Sequence, residues 1–222
     1  MSSSLEDFVK SKENSGTRII NDAPIQTHAT IAATGLGRSG TTMLARILHG
    51  IGLEMGPYCH PNTSDDKQIQ KAMRKFDWGR FEEICRERDS QFDIWAFKDP
   101  NIRDELPRVA ALMRNPRLIV TFRDLLAVSL RNEISASTEI WNAMRLALKG
   151  YTLLVEQLRN LTCPTLMLSY EKCLVRPEET VRIIADFCGR SLSDEDIGRI
   201  ARTAIRDSDP KYLSYNYDHS AI

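Results

Sequence analysis

The chain has 222 residues, 42% hydrophobic and 27% charged, the make-up of a soluble globular protein with apolar material for one sizeable core. Thirty basic and thirty acidic side chains cancel, which excludes an overall field drawing the protein to nucleic acid or an anionic membrane, so any anion site must be local. The five cysteines, Cys59, Cys85, Cys163, Cys173 and Cys188, are odd in number and include no C-x-x-C pair. They suit neither a disulfide framework nor a zinc site and are expected as reduced thiols.

Residues 1–27 are polar and aperiodic, and are expected to form a mobile arm before a single domain over 28–222. The N-terminus lacks the basic and apolar regions of a signal peptide. Nowhere do about 18 apolar residues run together. No membrane span and a cytoplasmic location are therefore expected.

Ala29–Thr34 is a short apolar run ending at glycines and predicts a buried strand. From Thr41 to Ile51, apolar residues recur at helical spacing until Gly50 and Gly52 stop them. A loop from Gly52 to Ser64 follows, and Ser64 can cap a second helix beginning at Asp65. Phe92–Phe97 alternates as a strand, 101–113 reads as helix, and Arg117–Phe122 as another buried strand closing on Arg123-Asp124. A long helical region then runs from Leu126 toward Leu161. Pro164–Tyr170 gives the last strand, Pro177–Phe187 a helix opened by proline, and Ser193–Arg206 a final helix. Strands alternating with helices predict an α/β fold of three layers, a mostly parallel sheet with helices on both faces.

Gly35-Leu-Gly-Arg-Ser-Gly-Thr-Thr42 lies between the first expected strand and helix, the context in which a glycine-rich string cradles phosphate on its N–H groups and on the helix N-terminus. Gly35, Gly40 and Thr42 fit the ATP-loop pattern, but Thr41 stands where that pattern has lysine. The element that grips β and γ phosphates is thus missing. Arg38 supplies a cation inside the loop instead, which suits a shorter anion.

Arg38-Ser-Gly-Thr-Thr42 resembles the 5′-phosphosulfate loop of the sulfotransferase superfamily. Lys98-Asp-Pro100 is similar to a step of the tyrosylprotein and carbohydrate branches, and Arg123-Asp124 resembles the 3′-phosphate segment. Leu168-Ser-Tyr-Glu171, Pro177 and Phe187-Cys-Gly189 resemble the later strand and helix. The resemblance implies a P-loop-type fold and transfer of a sulfuryl group from 3′-phosphoadenosine 5′-phosphosulfate (PAPS) to a hydroxylated carbohydrate or other small molecule, without metal. Gly37, Arg38, Ser39, Gly40, Thr41 and Thr42 are then expected to hold the 5′-phosphosulfate. Arg123, with Ser129 or Arg131, is expected at the 3′-phosphate.

Arg38 and Lys98 are expected to stabilise the leaving oxygen. Pro100 stands where the cytosolic branch has histidine, so a carboxylate base is implied in the segment after the first helix. Asp66 is the first choice, with Asp65, Glu54 and His60 as the others. Acceptor choice is expected in the loop from Gly52 to Ser64 and in the C-terminal segment, where Lys211 or Tyr212 can close over the nucleotide. A P-loop nucleotide kinase or nucleotidase, and a sulfotransferase-like binding protein without activity, are the alternative readings.

Overall fold

A computed structural model describes residues 14–57, 59 and 64–206 of the chain. The expectations for His60, Lys211 and Tyr212 lie outside these residues. Five strands make one sheet: β1 (Thr17–Ile20), β2 (Ala29–Gly35), β3 (Ile94–Lys98), β4 (Arg117–Phe122) and β5 (Thr165–Ser169), in the order β1-β5-β4-β2-β3. All neighbours are parallel except β1, which runs antiparallel along β5.

The period of two along β2 sets the layers. Ile31 and Ala33 join one buried cluster with Ile119 of β4 and with Leu44, Ile47 and Leu48 of the first helix, α1 (Thr41–Gly50). Ala32 joins the opposite cluster with Trp95 and Phe97 of β3 and Leu118 and Val120 of β4. Helices α2 (Lys67–Arg74) and α3 (Trp78–Asp89), a 3₁₀ turn (Pro100–Asp104) and α4 (Leu106–Ala111) follow. Then come α5 (Leu125–Ala136), α6 (Ile140–Arg159), α7 (Tyr170–Val175), α8 (Pro177–Phe187) and α9 (Asp194–Ile200), which runs into a π-helical turn (Ala201–Arg206). α1, α8 and α9 cover the first face, and α2, α3, α5 and α6 the second. Each fully buried large aliphatic side chain contributes about 1.5–3 kcal/mol, so burial on both faces holds the sheet and aligns the ends of β2, β3 and β4.

The fold class is as expected, with four local differences. Residues 17–20 are not part of a mobile arm. Their backbone pairs with β5 from Thr17 against Leu168 to Ile20 against Thr165, a gain from partners about 150 residues away that local composition does not carry. The expected helix over 101–113 breaks at Glu105, because Pro107 has no N–H to bond the carbonyl of Arg103 and its ring crowds that carbonyl, so the helix can only start afresh with the proline in its first turn. The second helix starts at Lys67 and is capped by Asp66 rather than Ser64, and a separate helix, α3, follows it after Phe76 turns to φ 53°.

The long helix over 126–161 is two. Ser137 adopts the left-handed conformation, φ 48° and ψ 36°, at the end of α5, and Glu139 caps α6 by accepting from the Asn142 N–H. The left-handed well costs a non-glycine residue about 1 kcal/mol or more. Ser137→Gly should therefore raise stability by about 0.5–1 kcal/mol, read as a higher urea midpoint at unchanged slope. A lowered midpoint would mean that the serine makes a contact outweighing its backbone strain.

Candidate functional site

The glycine loop leaves the C-terminal end of β2 and is held from three sides. Ser39 is fully buried, and its hydroxyl lies 3.0 Å from that of Thr121 on β4. Arg38 takes the left-handed conformation, φ 71°, which a non-glycine residue keeps only when its surroundings enforce it. The enforcement is visible: Arg123, just past β4, donates from Nη1 to the Arg38 carbonyl at 2.9 Å. Its guanidinium also lies 4.6 Å from the centre of the Tyr170 ring, near enough for cation–π attraction.

The same ring presses on Gly40. A Cβ there would sit 2.2 Å from Tyr170 Cδ2, and Gly40 has φ 101°, so both space and backbone require glycine. Gly40 stands at the N-cap of α1 with no side-chain cap. The first-turn N–H groups of α1, at Thr41 and Thr42, thus have no side-chain acceptor from that cap, the arrangement that suits an anion.

Gly37, Arg38, Thr41 and Thr42 line a cleft of about 210 Å³ together with Asp65, Gln70, Arg74, Lys98, Pro100 and Asn101. Lys98 is nearly buried at the end of β3 and donates to Asp65 Oδ1 at 2.5 Å. The next residue, Asp99, is fully buried and accepts from the backbone and side-chain nitrogens of Asn101 at 2.9 and 2.8 Å. Burial pushes its carboxyl up to about 6. Its role is to shape the turn after β3: it caps the 3₁₀ segment, and its carbonyl accepts from Thr34 Oγ1.

Around Arg123 the backbone is fixed by Tyr151, whose hydroxyl donates to the Arg123 carbonyl at 2.6 Å and lies 3.0 Å from its N–H. Asp124 does not pair with Arg123. Its side chain caps α5 through the Ala127 N–H, and its own N–H donates to Glu171 at 3.0 Å.

The family model described as "Sulfotransferase family" matches residues 57–194, a span that holds the Lys98 and Arg123 segments and begins after the glycine loop. The chain belongs to the sulfotransferase family. Similar solved structures include the sulfotransferase domain of the Synechococcus PCC 7002 olefin synthase, 18% identical with a TM-score of 0.56 over 87% of this chain and 86% of that one. A mouse sulfotransferase complexed with PAP is 17% identical, with a TM-score of 0.55 over 83% of this chain and 66% of that one. A Mycobacterium avium sulfotransferase is 14% identical, with a TM-score of 0.53 over 79% and 67%. This chain thus spans about two-thirds of the length of the mouse and mycobacterial proteins. At such identities the likeness establishes the fold. No curated protein matches the chain by sequence.

Of the residues singled out in the sequence, Gly37, Arg38, Thr41, Thr42 and Lys98 meet in the one cleft, and Arg123 braces its loop through the Arg38 carbonyl. Three side chains do not take their expected places, the first being that of Ser39, which is buried against Thr121 and does not line the cleft. Ser129 is fully buried on the inner side of α5, with its hydroxyl donating to the Leu125 carbonyl at 2.7 Å, because the helix turns that position toward the core beside Val128. Arg131, two residues on, is partly exposed.

Asp66 is also fully buried and turned away from the cleft. Its Oδ1 caps α2, accepting from Gln68 and Ile69 N–H at 3.0 and 3.1 Å, and its Oδ2 lies 2.5 Å from Arg88 Nη1 in a buried ion pair. Among the described residues no group of three or more His, Cys, Asp and Glu side chains could hold a metal, and no helix is long and apolar enough to cross a membrane. Tyr170, Tyr151 and Glu171 support the site and were not singled out individually; the Leu168-Ser-Tyr-Glu171 string marked the place of the first and last, and nothing marked Tyr151.

Asp66→Asn leaves Arg88, which is 4% exposed, without its counter-charge. Breaking one side of a buried pair costs about 3–5 kcal/mol. The variant should lose stability of that order in chemical denaturation. A midpoint within about 0.5 kcal/mol of the parent would contradict this structural role.

Proposed function

We propose that this chain transfers the sulfuryl group of PAPS to a hydroxyl of a small acceptor. The observation that carries the reading is the single cleft in which an arginine-bearing glycine loop and a helix N-terminus face the Lys98–Asp65 pair. That combination favours a compact anion with a reacting group beside the loop, and it offers no lysine at the ATP position.

In this reading, the loop N–H groups with Thr41 and Thr42 hold the 5′-phosphosulfate, and Arg123 with Arg131 holds the 3′-phosphate. Asp65, rather than Asp66, is the base. It lies on the cleft at hydrogen-bond distance from Lys98, whereas Asp66 is engaged behind it. The acceptor oxygen forms its bond to sulfur as the bond from sulfur to the bridging oxygen breaks, and the acceptor proton passes to Asp65. Lys98 and Arg38 offset the negative charge that develops on the bridging oxygen.

Calorimetry without metal should find 3′-phosphoadenosine 5′-phosphate (PAP), the donor without its sulfuryl group, bound in preference to ATP with Mg²⁺. Arg38→Ala and Arg123→Ala should each weaken PAP about tenfold to a hundredfold, the range for losing a charged hydrogen bond. Asp65→Asn should retain PAP affinity and lose at least about a hundredfold in turnover, the lower range for a general base. Preference for ATP with Mg²⁺ would favour a kinase instead, and full turnover in Asp65→Asn would remove that residue from the chemistry.

A further inference from the structure

A second cavity, of about 490 Å³, lies along the same helix that begins at the phosphate loop, and nothing in the donor reading uses it. Thr42 lines the loop cleft, and Ala45, Arg46 and His49 line this second cavity. These are positions i, i+3, i+4 and i+7 of α1, one continuous face. The two cavities also share neighbouring residues outside α1, since Asp65 lines the first and Ser64 the second. From Thr42 to His49 the helix rises about 10 Å, the reach of a small molecule of one or two rings. The volume also falls within the range of small-molecule sites, about 300–1,000 Å³.

The lining has a definite chemistry. Arg46, His49 and Arg199 bring nitrogen donors, while Met55 and Cys59 bring apolar surface. No acidic side chain lines the cavity among the described residues. Arg199 is fixed by an ion pair from Nη2 to Asp196 at 2.7 Å, so Arg46, half-buried on α1, brings the main positive charge. A guanidinium against an apolar floor recognises a carboxylate or phosphate through paired N–H donors far better than it recognises a neutral hydroxyl.

We propose that this cavity is the acceptor site and that the acceptor carries an anionic group, a carboxylate or phosphate, held by Arg46 with His49 and Arg199 while its hydroxyl reaches Asp65. The inference rests on the sulfuryl-transfer reading and adds the class of acceptor. It gives α1 two tasks: its N-terminus holds the donor, and its next two turns hold the acceptor. The acceptor oxygen is thereby brought in line by one rigid element.

The test uses the full chain saturated with PAP and pairs of hydroxylated probes that differ by one anionic group: glucose against glucose 6-phosphate, and 4-methylphenol against 4-hydroxyphenylacetate. Calorimetry should find the anionic member bound at least tenfold more tightly. Arg46→Gln should cut that advantage below threefold, Arg46→Lys should keep only the part that charge alone supplies, and His49→Gln, at an exposed position, should reduce it without affecting the fold. PAP affinity should stay the same in all three. Equal binding within each pair, no binding of either member, or a preference that survives Arg46→Gln overturns the inference alone when PAP still binds. Failure of PAP to bind overturns the donor reading and this inference with it.

Discussion

The site depends on one hydrogen bond between strand ends. Arg123 Nη1 donates to the carbonyl of Arg38, and that bond holds a non-glycine residue in a left-handed conformation at the apex of the loop. Without it the loop would relax toward an ordinary turn, because such a conformation costs about 1–3 kcal/mol. The Tyr170 ring completes the clamp, with the guanidinium on it and Gly40 against it. Residues from β2, β4 and the start of α7 therefore fix one five-residue turn, and the parallel register of the sheet brings them to the same edge.

A chain of zero net charge can still gather cations at one place, because such charges are local and partly desolvated. Arg38, Lys98 and Arg123 lie at or just past the ends of three neighbouring strands, and Arg38, Arg74 and Lys98 line the cleft with Asp65 as the acidic side chain among its described lining residues. In water such charges would interact at roughly 1 kcal/mol each at contact distance. Lys98, nearly buried beside Asp65, works in a medium where the same attraction is several times larger. Net charge and composition describe none of this, since both average over a surface that the site does not share.

Much of the fold was legible because it is written in local periodicity. The run Ala29–Thr34, the helical spacing after Thr41 and the apolar block from Arg117 each carry their own pattern, and all three appear as elements. The glycine loop was legible because its place between strand and helix is itself local. What escaped is what depends on distant partners. The strand β1 exists because β5 offers an open edge. The break at Ser137 gives no strong signal, since serine carries no marked bias for the left-handed well. Ser129 and Asp66 were misplaced for a related reason: spacing tells which turn of a helix a residue occupies, and only the packed neighbours decide whether that side faces a cleft or the core.

The adjacent pair Asp65-Asp66 shows the limit most clearly. Two carboxylates in sequence are chemically alike, yet Asp66 has an extended backbone, φ −72° and ψ 109°, and successive side chains on extended backbone point to opposite sides. One must then meet Lys98 at the cleft while the other meets Arg88 behind it. Arg88 itself is fixed by the Trp95 ring, 5.0 Å from its guanidinium, and by Gln68. Gly56 closes over the pair, where a Cβ would sit 2.6 Å from Asp66 Oδ2 and 2.9 Å from Arg88 Cζ. The Asp66–Arg88 pair thereby anchors the start of α2 to α3 and the core sheet, and it is this anchor that holds Asp65 at the mouth of the cleft. The buried carboxylate is a structural anchor, and it sets the direction in which its neighbour points.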